Sequence, residues 1–464
     1  MRAAALVSPL SSPATEAAAG AWVCPFCPLL CEAVDQQVPD CPRARQRLAG
    51  LALQHGHKPS PSIDGRPVSL ANALTAAAQL LHSSHQPLFG GLGTDVAGAR
   101  ALQRLADATG AISDSAQGAA LTENLRALQD RGGYTTTLAE LRSRADLVLC
   151  LGGVFADAAP LLFERHVLPA RNAWMPGADQ PRQVVVLGST PGQDTQDAAL
   201  LAQLAKRVKQ SDATELTLQT LAWHGDAHST VALLGAVLAA LGSGAAPPIA
   251  PPALLALAQA LRAAHYSVII GAPAQLPAQG ALLMEATHRC VERLNTHTRS
   301  AALWLGGGEG AATTNQVFTW LTGLPLRSRA GPAGLEHQPV LFDADRLLAD
   351  GAVDVLLWVS CFDAGLLPPS TACPRIVIGP PALGVALARQ AAAGGVPSQM
   401  VFIPVATPGV QTAGDLFRTD GTVLLPLRPL PVALQPTNSL ADLPTLPQVL
   451  AQLSTALRSA KATP

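Results

Sequence analysis

The sequence predicts an α/β protein built on parallel sheets. Short runs rich in Val, Ile and Leu alternate along the chain with longer Ala- and Leu-rich stretches, whose apolar residues recur every three to four positions. Most of the short runs are apolar throughout, as strands are when helices cover both faces of a sheet. With 464 residues, 48% of them apolar, the chain can build a core of several domains.

The predicted elements follow from these two patterns. Apolar and β-branched runs predict strands at residues 87–89, 147–151, 184–187, 267–270, 302–305, 355–359, 375–378 and 401–405. Helical periodicity predicts helices at residues 70–82, 97–109, 197–208, 214–223, 229–241, 253–263, 278–294 and 446–459. The Pro-, Gly- and Ala-rich stretch 242–252 is typical of a linker, and 159–182 of a long connection.

The same features predict the domain organisation. The Ala- and Ser-rich start is interpreted as a disordered leader, because its apolar patch at residues 3–7 is too short for a secretory signal. The predicted units are a leader (1–20), a four-cysteine segment (21–60), α/β subdomains (61–242 and 253–400) and a C-terminal segment returning to the core (401–464).

Charge and hydropathy exclude two classes of partner. The formal net charge is −1, aromatic residues make up 4% of the chain, and no Lys/Arg-rich block is present, so nucleic acid is not an expected partner. No apolar run approaches the roughly 20 residues that a membrane-spanning helix requires. The expected protein is therefore cytoplasmic and binds neither nucleic acid nor membrane.

Four of the eight cysteines lie within 18 residues, which indicates a metal site in a reducing compartment rather than disulfides. Cys24, Cys27, Cys31 and Cys41 supply the four thiolates that a [4Fe-4S] cluster or a tetrahedral zinc ion needs. Three thiols within eight residues favour the cluster, since structural zinc sites use two separated pairs; an empty site stays open. The remaining cysteines lie in or beside apolar runs and are expected to be inert: Cys150, Cys290, Cys361 and Cys373.

Several predicted strands run directly into glycine. In open α/β sheets ligands bind beyond the carboxyl ends of strands, where glycine lets the backbone approach closely. Tight-turn chemistry alone also accounts for any single glycine, and the chain has no full Rossmann or P-loop fingerprint. The candidate ligand rim consists of Gly90, Gly91, Gly152, Gly153, Gly306, Gly307 and Gly308.

The segment VCPFCPLLCEAV with the later CPRARQRL resembles the start of the formylmethanofuran dehydrogenase B subunits, a family of molybdopterin and tungstopterin oxidoreductases. Five further stretches are similar to that family in order and spacing: PLFGGLGTDVAGARALQRLADATGA (87–111), LAELRSRADLVLCLGG (138–153), TTNQVFTWLTGLPL (313–326), AVDVLLWVSCFDAGLLP (352–368) and IPVATPGVQTAGDLFRTDG (403–421). The resemblance implies parallel-sheet subdomains of the molybdopterin oxidoreductase type.

Two departures from the family pattern concern the cofactor. Where the family carries a cysteine ligand of molybdenum or tungsten followed by histidine, this chain reads ISDSAQGAALTENL (112–125), and the hydroxyls of Ser113 and Ser115 are poor substitutes for a thiolate. Where the family has histidine and asparagine beside the pterin, the chain carries Glu309, an unfavourable neighbour for a pyrophosphate. We therefore expect a degenerate pterin rim and no molybdopterin or tungstopterin. The gap before Cys41 is also shorter than in the family.

The sequence is compatible with three functions. The resemblance, taken together with the missing cofactor-binding residues, implies a redox-silent, structural B-type subunit of the formyltransferase/hydrolase complex of methylotrophs. In that complex, which serves tetrahydromethanopterin-linked one-carbon metabolism, an amidohydrolase-like A subunit, a C subunit and a formyltransferase D subunit would be the partners. The second is an active dehydrogenase subunit converting CO₂ or formate to formyl-methanofuran. The third is a stand-alone, zinc-stabilised binding protein for small molecules.

Two further groups of polar residues have simple structural interpretations. His224 and His228 could form a metal site only if a distant residue such as His166 lay beside them, whereas Asp226 and Ser229 are ordinary helix-capping residues. Capping is the favoured interpretation. Arg418 and Asp420 indicate either a former cofactor or subunit contact or a loop ion pair.

Overall fold

A computed structural model describes residues 22–32, 34–35, 40–53, 60–176, 179–188, 195–210, 216–392, 399–436 and 443–462. The predicted leader lies outside these residues. The helices are α1 (Pro42–Leu51), α2 (Leu70–Ser83), α3 (Val96–Thr109), α4 (Gly118–Arg131), α5 (Leu138–Arg144), α6 (Thr195–Gln210), α7 (Ala227–Ser243), α8 (Pro252–Ala263), α9 (Gly280–Leu294), α10 (Ala311–Thr322), α11 (Ala344–Ala349), α12 (Pro381–Ala392) and α13 (Leu446–Ala462).

The strands are β1 (Ser62–Ile63), β2 (Arg66–Pro67), β3 (Pro87–Gly93), β4 (Ile112–Ser113), β5 (Leu147–Leu151), β6 (Arg182–Leu187), β7 (Leu216–Leu221), β8 (Tyr266–Gly271), β9 (Arg299–Trp304), β10 (Ser328–Gly331), β11 (Gly334–His337), β12 (Val355–Ser360), β13 (Arg375–Gly379), β14 (Met400–Pro404), β15 (Gly414–Phe417) and β16 (Leu424–Leu427). Each of the eight predicted strands is present. No described helix is long and apolar enough to cross a bilayer.

Two sheets with parallel cores organise the described residues, and the predicted α/β class is confirmed. The larger sheet has nine strands in the order β11-β10-β4-β3-β12-β13-β14-β1-β2, parallel from β4 to β14 and antiparallel at both edges. The smaller sheet has five parallel strands in the order β7-β6-β5-β8-β9. Strands β15 and β16 form a separate antiparallel pair.

The chain builds part of the larger sheet, passes through the whole smaller sheet, and then returns to the larger one. Strands β3 and β4 belong to the larger sheet, β5 to β9 to the smaller, and β10 to β14 to the larger again. The predicted linker 242–252 connects α7 to α8, and both sides of it contribute strands to the smaller sheet. The predicted units 61–242 and 253–400 therefore do not coincide with the two sheets.

One predicted helix is wrong. Residues 214–223 were expected to be helical, but β7 occupies Leu216–Leu221 and pairs in parallel with β6, from Arg182–Leu216 to Leu187–Leu221. Leucines at 216, 218 and 221 fit a helical period nearly as well as a strand, so pairing with β6 decides the conformation. Tertiary contacts thus override a weak local pattern.

The cysteine segment is part of the core of the larger sheet. Trp22 and Phe26 are completely buried and lie in the same apolar cluster as Phe89 and Phe362. The Trp22 indole Nε1 donates a hydrogen bond of 2.6 Å to the carbonyl oxygen of Gly409. This segment is therefore held in place by the main fold.

Candidate functional site

The first three candidate cysteines lie in one closed loop. An antiparallel bridge joins Trp22 to Val34, and the Cys24 amide donates to the Cys31 carbonyl over 3.0 Å. Within the loop, the Leu30 amide donates to the Cys27 carbonyl over 3.3 Å. The chain is closed on itself around the three side chains, so the C-x₂-C-x₃-C spacing places all three thiols within a single turn-rich segment.

The fourth cysteine begins a helix beside this loop. Cys41 is the N-cap of α1, and Pro42 at the first helical position fixes the backbone there. All four cysteine residues are between 3% and 6% exposed. Backbone N–H groups donate to three of the sulfurs: Phe26 to Cys24, Leu29 and Leu30 to Cys27, and Ala44 and Arg43 to Cys41.

The four thiols interact electrostatically. Burial raises the pKa of Cys24, and the nearby Cys27 adds to that rise. A hydrogen bond from Cys31 lowers the pKa of Cys27 and raises the pKa of Cys31 itself. Burial also raises the pKa of Cys41. Burial opposes the ionisation of all four thiols, so they would become thiolates together only with a compensating cation.

Four cysteine side chains are the donor set that a thiolate-bound metal group uses. Within the described residues, no three or more His, Cys, Asp or Glu side chains form a group that could hold a metal ion. A tetrahedral zinc site needs its four sulfurs to converge on one point, whereas a [4Fe-4S] cluster takes one thiolate on each iron. Backbone N–H groups aimed at sulfur are also the usual surroundings of such clusters. The metal assignment stays a prediction.

The rim glycines at the end of β9 pack against the cysteine loop. A Cβ atom at Gly308 would lie 2.9 Å from Pro28 Cδ, and one at Gly310 would overlap the backbone of Thr94 beyond β3. The Gly307 amide donates to Gln117 Oε1 over 3.1 Å. Close backbone packing and protein hydrogen bonds therefore account for this turn, which joins the two sheets.

The glycine turn after β5 is filled by a carboxylate. Asp197, in the first turn of α6, accepts hydrogen bonds from the amides of Val154 (2.7 Å) and Ala156 (2.8 Å). A Cβ atom at Gly153 would overlap Asp197 Oδ2. Successive backbone N–H groups of this kind form an anion-binding concavity. Here a side chain of the protein occupies it.

Gly90 and Gly91 lie elsewhere than predicted. They were expected in the turn after a strand ending at Phe89, but β3 continues to Gly93. A Cβ atom at Gly90 would lie 3.0 Å from Trp358 Cε3, so the indole ring on neighbouring β12 requires a small residue there. These two glycines therefore belong to the interior of the sheet, next to Trp358.

Glu309 connects the β9 turn to the cysteine segment. Arg47 Nε donates to Glu309 Oε1 over 2.6 Å, and Arg43 Nη2 donates to the same oxygen over 3.1 Å. Arg47 also pairs with Asp363 Oδ2 at 2.9 Å, beyond the end of β12. Both arginines belong to α1, so the carboxylate that is unfavourable beside a pyrophosphate is stabilised by protein cations.

A second buried acid occupies the stretch where the family's metal ligand is missing. The carboxylate of Asp114 accepts from the Ala344 amide (2.9 Å) and lies 3.3 Å from Arg327 Nε. Burial raises the pKa of Asp114 to about 6, against the charge of Arg327. Ser113 is buried without a partner for its hydroxyl, and Ser115 Oγ accepts from the Gln117 amide. Sequence reasoning missed Asp114, because its partner lies more than 200 residues away.

The remaining candidates have structural roles. Asp226 caps α7 by accepting from the Ser229 amide (2.8 Å), as the capping interpretation predicted. Arg418 Nη2 pairs with Asp420 Oδ2 at 2.8 Å, and the Leu138 amide donates to the same oxygen. Partial burial, with the nearby charge of Arg418, lowers the pKa of His166 to about 4. This chain therefore uses the Arg418–Asp420 ion pair to hold the start of α5.

Comparison with known proteins confirms the resemblance. No family model matches the chain. It is 29% identical over 356 residues to the B subunit of the formyltransferase/hydrolase complex Fhc of Methylorubrum extorquens, covering 76% of this chain and 87% of that protein. It is 23% identical over 429 residues to the B subunit of the tungsten-containing formylmethanofuran dehydrogenase 2 of Methanocaldococcus jannaschii, covering 86% and 91%. The corresponding Methanococcus maripaludis protein is 24% identical over 446 residues.

A solved structure extends the comparison to the fold. The crystal structure of the formyltransferase/hydrolase complex (FhcABCD) from Methylorubrum extorquens, in complex with methylofuran, contains a chain that superposes with a TM-score of 0.67. Sequence identity is 26%, and the match covers 87% of this chain and all of that one. The whole fold of that subunit is therefore represented here.

Proposed function

Since this chain is a relative of the B subunits of formylmethanofuran dehydrogenase and of the formyltransferase/hydrolase complex, we propose that it is the B-type subunit of a formyltransferase/hydrolase complex. The observation that carries the proposal is the match to the FhcABCD structure, which covers that entire chain at a TM-score of 0.67. Identity to the Fhc protein, at 29%, also exceeds identity to the two tungsten-containing relatives. The complex would act in tetrahydromethanopterin-linked one-carbon metabolism, with a methanofuran-type amine as formyl carrier.

Within that complex the subunit is structural and catalyses no redox reaction of its own. Three carboxylates support this part of the proposal: Glu309, Asp197 and Asp114 stand at strand ends where an anionic cofactor would need free donors. Each of them already uses the local amides or arginines. A bound pyrophosphate would have to displace these acids and meet their negative charge.

The four cysteines hold a [4Fe-4S] cluster in this proposal, with zinc or no metal as the alternatives. Cys24, Cys27, Cys31 and Cys41 would each bind one iron. The cluster would supply electron transfer in a redox enzyme and rigidity in a structural subunit. The chain's own contribution is a buried loop with amides directed at sulfur.

A second candidate is an active dehydrogenase subunit. The observation that favours it is the similarity to tungsten-containing relatives over 86% and 90% of this chain. It requires a metal-binding pterin, and therefore a ligand among residues 112–125, whose polar side chains next to β4 are Ser113, Asp114 and Ser115. Of these, none offers a thiolate.

The deciding experiment is purification of the complex through a tag on this subunit, without oxygen. Metal analysis for Fe, Zn, Mo and W would be combined with identification of the co-purifying chains and assays of formyl transfer, formyl hydrolysis and formate oxidation. The proposal expects formyltransferase and hydrolase subunits, no Mo or W, and no formate oxidation. Stoichiometric Mo or W with formate oxidation would instead establish the dehydrogenase.

A further inference from the structure

A groove with apolar walls lies between two helices that pack beside the larger sheet. It runs between α3 and α13 and has a volume of about 290 Å³. Ala97 and Ala101 form one side, and Leu450 and Ala451 the other. We call this feature the α3–α13 groove. Small residues on both helices leave an apolar depression between two ridges of side chains.

Two arginines border the groove without an acidic partner. Arg100 and Arg104 are exposed, and their spacing of four places them on the same face of α3. Among the described residues, neither has a carboxylate within ion-pair distance, whereas Arg43, Arg47 and Arg327 all do. The groove thus combines apolar surface with two uncompensated positive charges.

An exposed tryptophan extends the same surface. Trp320 on α10 is 62% exposed, and the guanidinium carbon of Arg100 lies 5.9 Å from the centre of its ring. Exposed tryptophan and arginine side chains next to a pocket are the composition typical of the energetic centre of a protein interface.

The size of the groove indicates the kind of occupant. A drug-sized ligand or cofactor usually occupies roughly 300 to 1,000 Å³, so the α3–α13 groove is at the lower limit for a small molecule. One or two apolar side chains from an amphipathic helix would fill it, and carboxylates on that helix would meet Arg100 and Arg104. The positive charges of Arg100 and Arg104 therefore favour an acidic segment as the occupant of the groove.

We propose that the α3–α13 groove, with Arg100, Arg104 and Trp320, is the docking site for an acidic amphipathic helix of another subunit. The inference rests on the proposed function, because it needs partner subunits. It assigns an assembly role to a face that is separate in the sequence from the cysteine segment. Arg100 and Arg104 would supply orientation and affinity, and Trp320 would be covered on binding.

The test is co-expression of the tagged full-length chain with its partner subunits. In R100E/R104E both charges are reversed. The matched control R66E/R389E makes the same change in net charge at two exposed arginines on β2 and α12. Thermal unfolding of the isolated chains establishes that both variants fold. We expect R100E/R104E to bind one partner about tenfold or more weakly, and the control to assemble normally.

A photo-crosslinking residue at position 320 identifies the occupant. Capture of an acidic helix from a partner subunit would support the proposal, whereas capture of a second copy of this chain would overturn it. Unchanged assembly of R100E/R104E would also overturn it. If the wild-type chain itself recovers no formyltransferase or hydrolase subunit, the proposed function fails, and this result is distinguishable from failure of the groove alone.

Discussion

Glu309 is a residue whose role depends on its partners rather than on its own type. It adopts a positive φ of 55° and still keeps its carboxylate against Arg43 and Arg47. A left-handed conformation is unfavourable for glutamate by about 1–2 kcal/mol, so the two ion pairs must offset this cost. In this chain the acid stabilises the cysteine segment, and the family pattern alone did not predict that.

Glu309→Gln should destabilise the protein. The amide retains the shape of the side chain but removes the charge that Arg43 and Arg47 share, leaving them only Asp157 and Asp363. We expect a loss of about 1–3 kcal/mol in unfolding free energy. Urea unfolding at pH 7 measures the difference. Glu164→Gln, at an exposed position, is the control. Equal midpoints for the two variants would show that the ion pairs contribute nothing.

Asp114 should make stability depend on pH. Burial raises the pKa of Asp114 to about 6 from an ordinary 3.8, so between these values the folded protein keeps a proton that the unfolded chain has released. The unfolding free energy therefore falls as pH rises from about 4 to about 6, and the contribution of this group is constant above that. A shift of this size corresponds to roughly 3 kcal/mol.

Asp114→Asn tests this pH dependence. Asparagine cannot ionise, so the stability of the variant relative to wild type should rise between pH 4 and pH 6 and level off at higher pH. Urea unfolding at a series of pH values provides the comparison. A difference between the two proteins that stays constant over this range would contradict the raised pKa.

At the scale of elements, Asp197 fastens α6 to the turn after β5. The carboxylate accepts from two amides of that turn, and the glycine at 153 allows it to approach. Asp197→Ala should lower the unfolding free energy by about 1–3 kcal/mol, because two partly buried donors lose their acceptor.

The same variant should acquire a site for small anions. Pyrophosphate added to Asp197→Ala is expected to raise its melting temperature, because it replaces the missing carboxylate at the free amides. The wild-type protein should respond much less. Equal responses of the two proteins would indicate that the turn does not bind anions.

The two ends of α10 offer a matched pair of glycines. Gly310 and Gly323 flank the helix with positive φ values of 85° and 78°. A Cβ atom at Gly310 would overlap the backbone of Thr94, whereas at Gly323 it would meet open space. Gly323→Ala should cost about 1–2 kcal/mol, the strain of the left-handed conformation alone, and Gly310→Ala clearly more. Similar melting temperatures for the two variants would contradict the close packing of the two sheets here.

Elements whose pattern lies in their own residues could be predicted from the sequence, whereas elements set by contacts with distant residues could not. The central strands, such as β5 and β12, are apolar throughout and were predicted close to their observed bounds. The two-residue β4 and the antiparallel edge strands have no period that the sequence could reveal. The sequence also could not reveal the Asp114–Arg327 contact or the hydrogen bonds of Asp197 to the turn after β5, since both join residues distant in sequence. Such contacts can be predicted only when the order of the strands in the sheets is known.

At the scale of the whole molecule, the cysteine segment provides a test of the proposed cluster. Cys31→Ser should abolish bound iron and the visible absorption of an iron-sulfur chromophore in the purified complex, while Cys373→Ser, at a partly exposed thiol, should keep both. The cysteine loop belongs to the main core, so Cys31→Ser should also lower the melting temperature. Iron content that is unaffected by Cys31→Ser would rule out that cysteine as a ligand.

The path of the chain through the two sheets has a consequence for biosynthesis. Strands β3 and β12 are neighbours, yet about 260 residues separate them, and the entire smaller sheet lies in that interval. At about 5–20 residues per second, a ribosome needs roughly 10 to 50 s to make that interval. During this time β3 lacks its neighbour β12, and the smaller sheet is made and completed before β12 is. The newly made chain must therefore carry an open apolar strand edge until β12 emerges, in the last quarter of the sequence, and we expect it to depend most on chaperones during this interval.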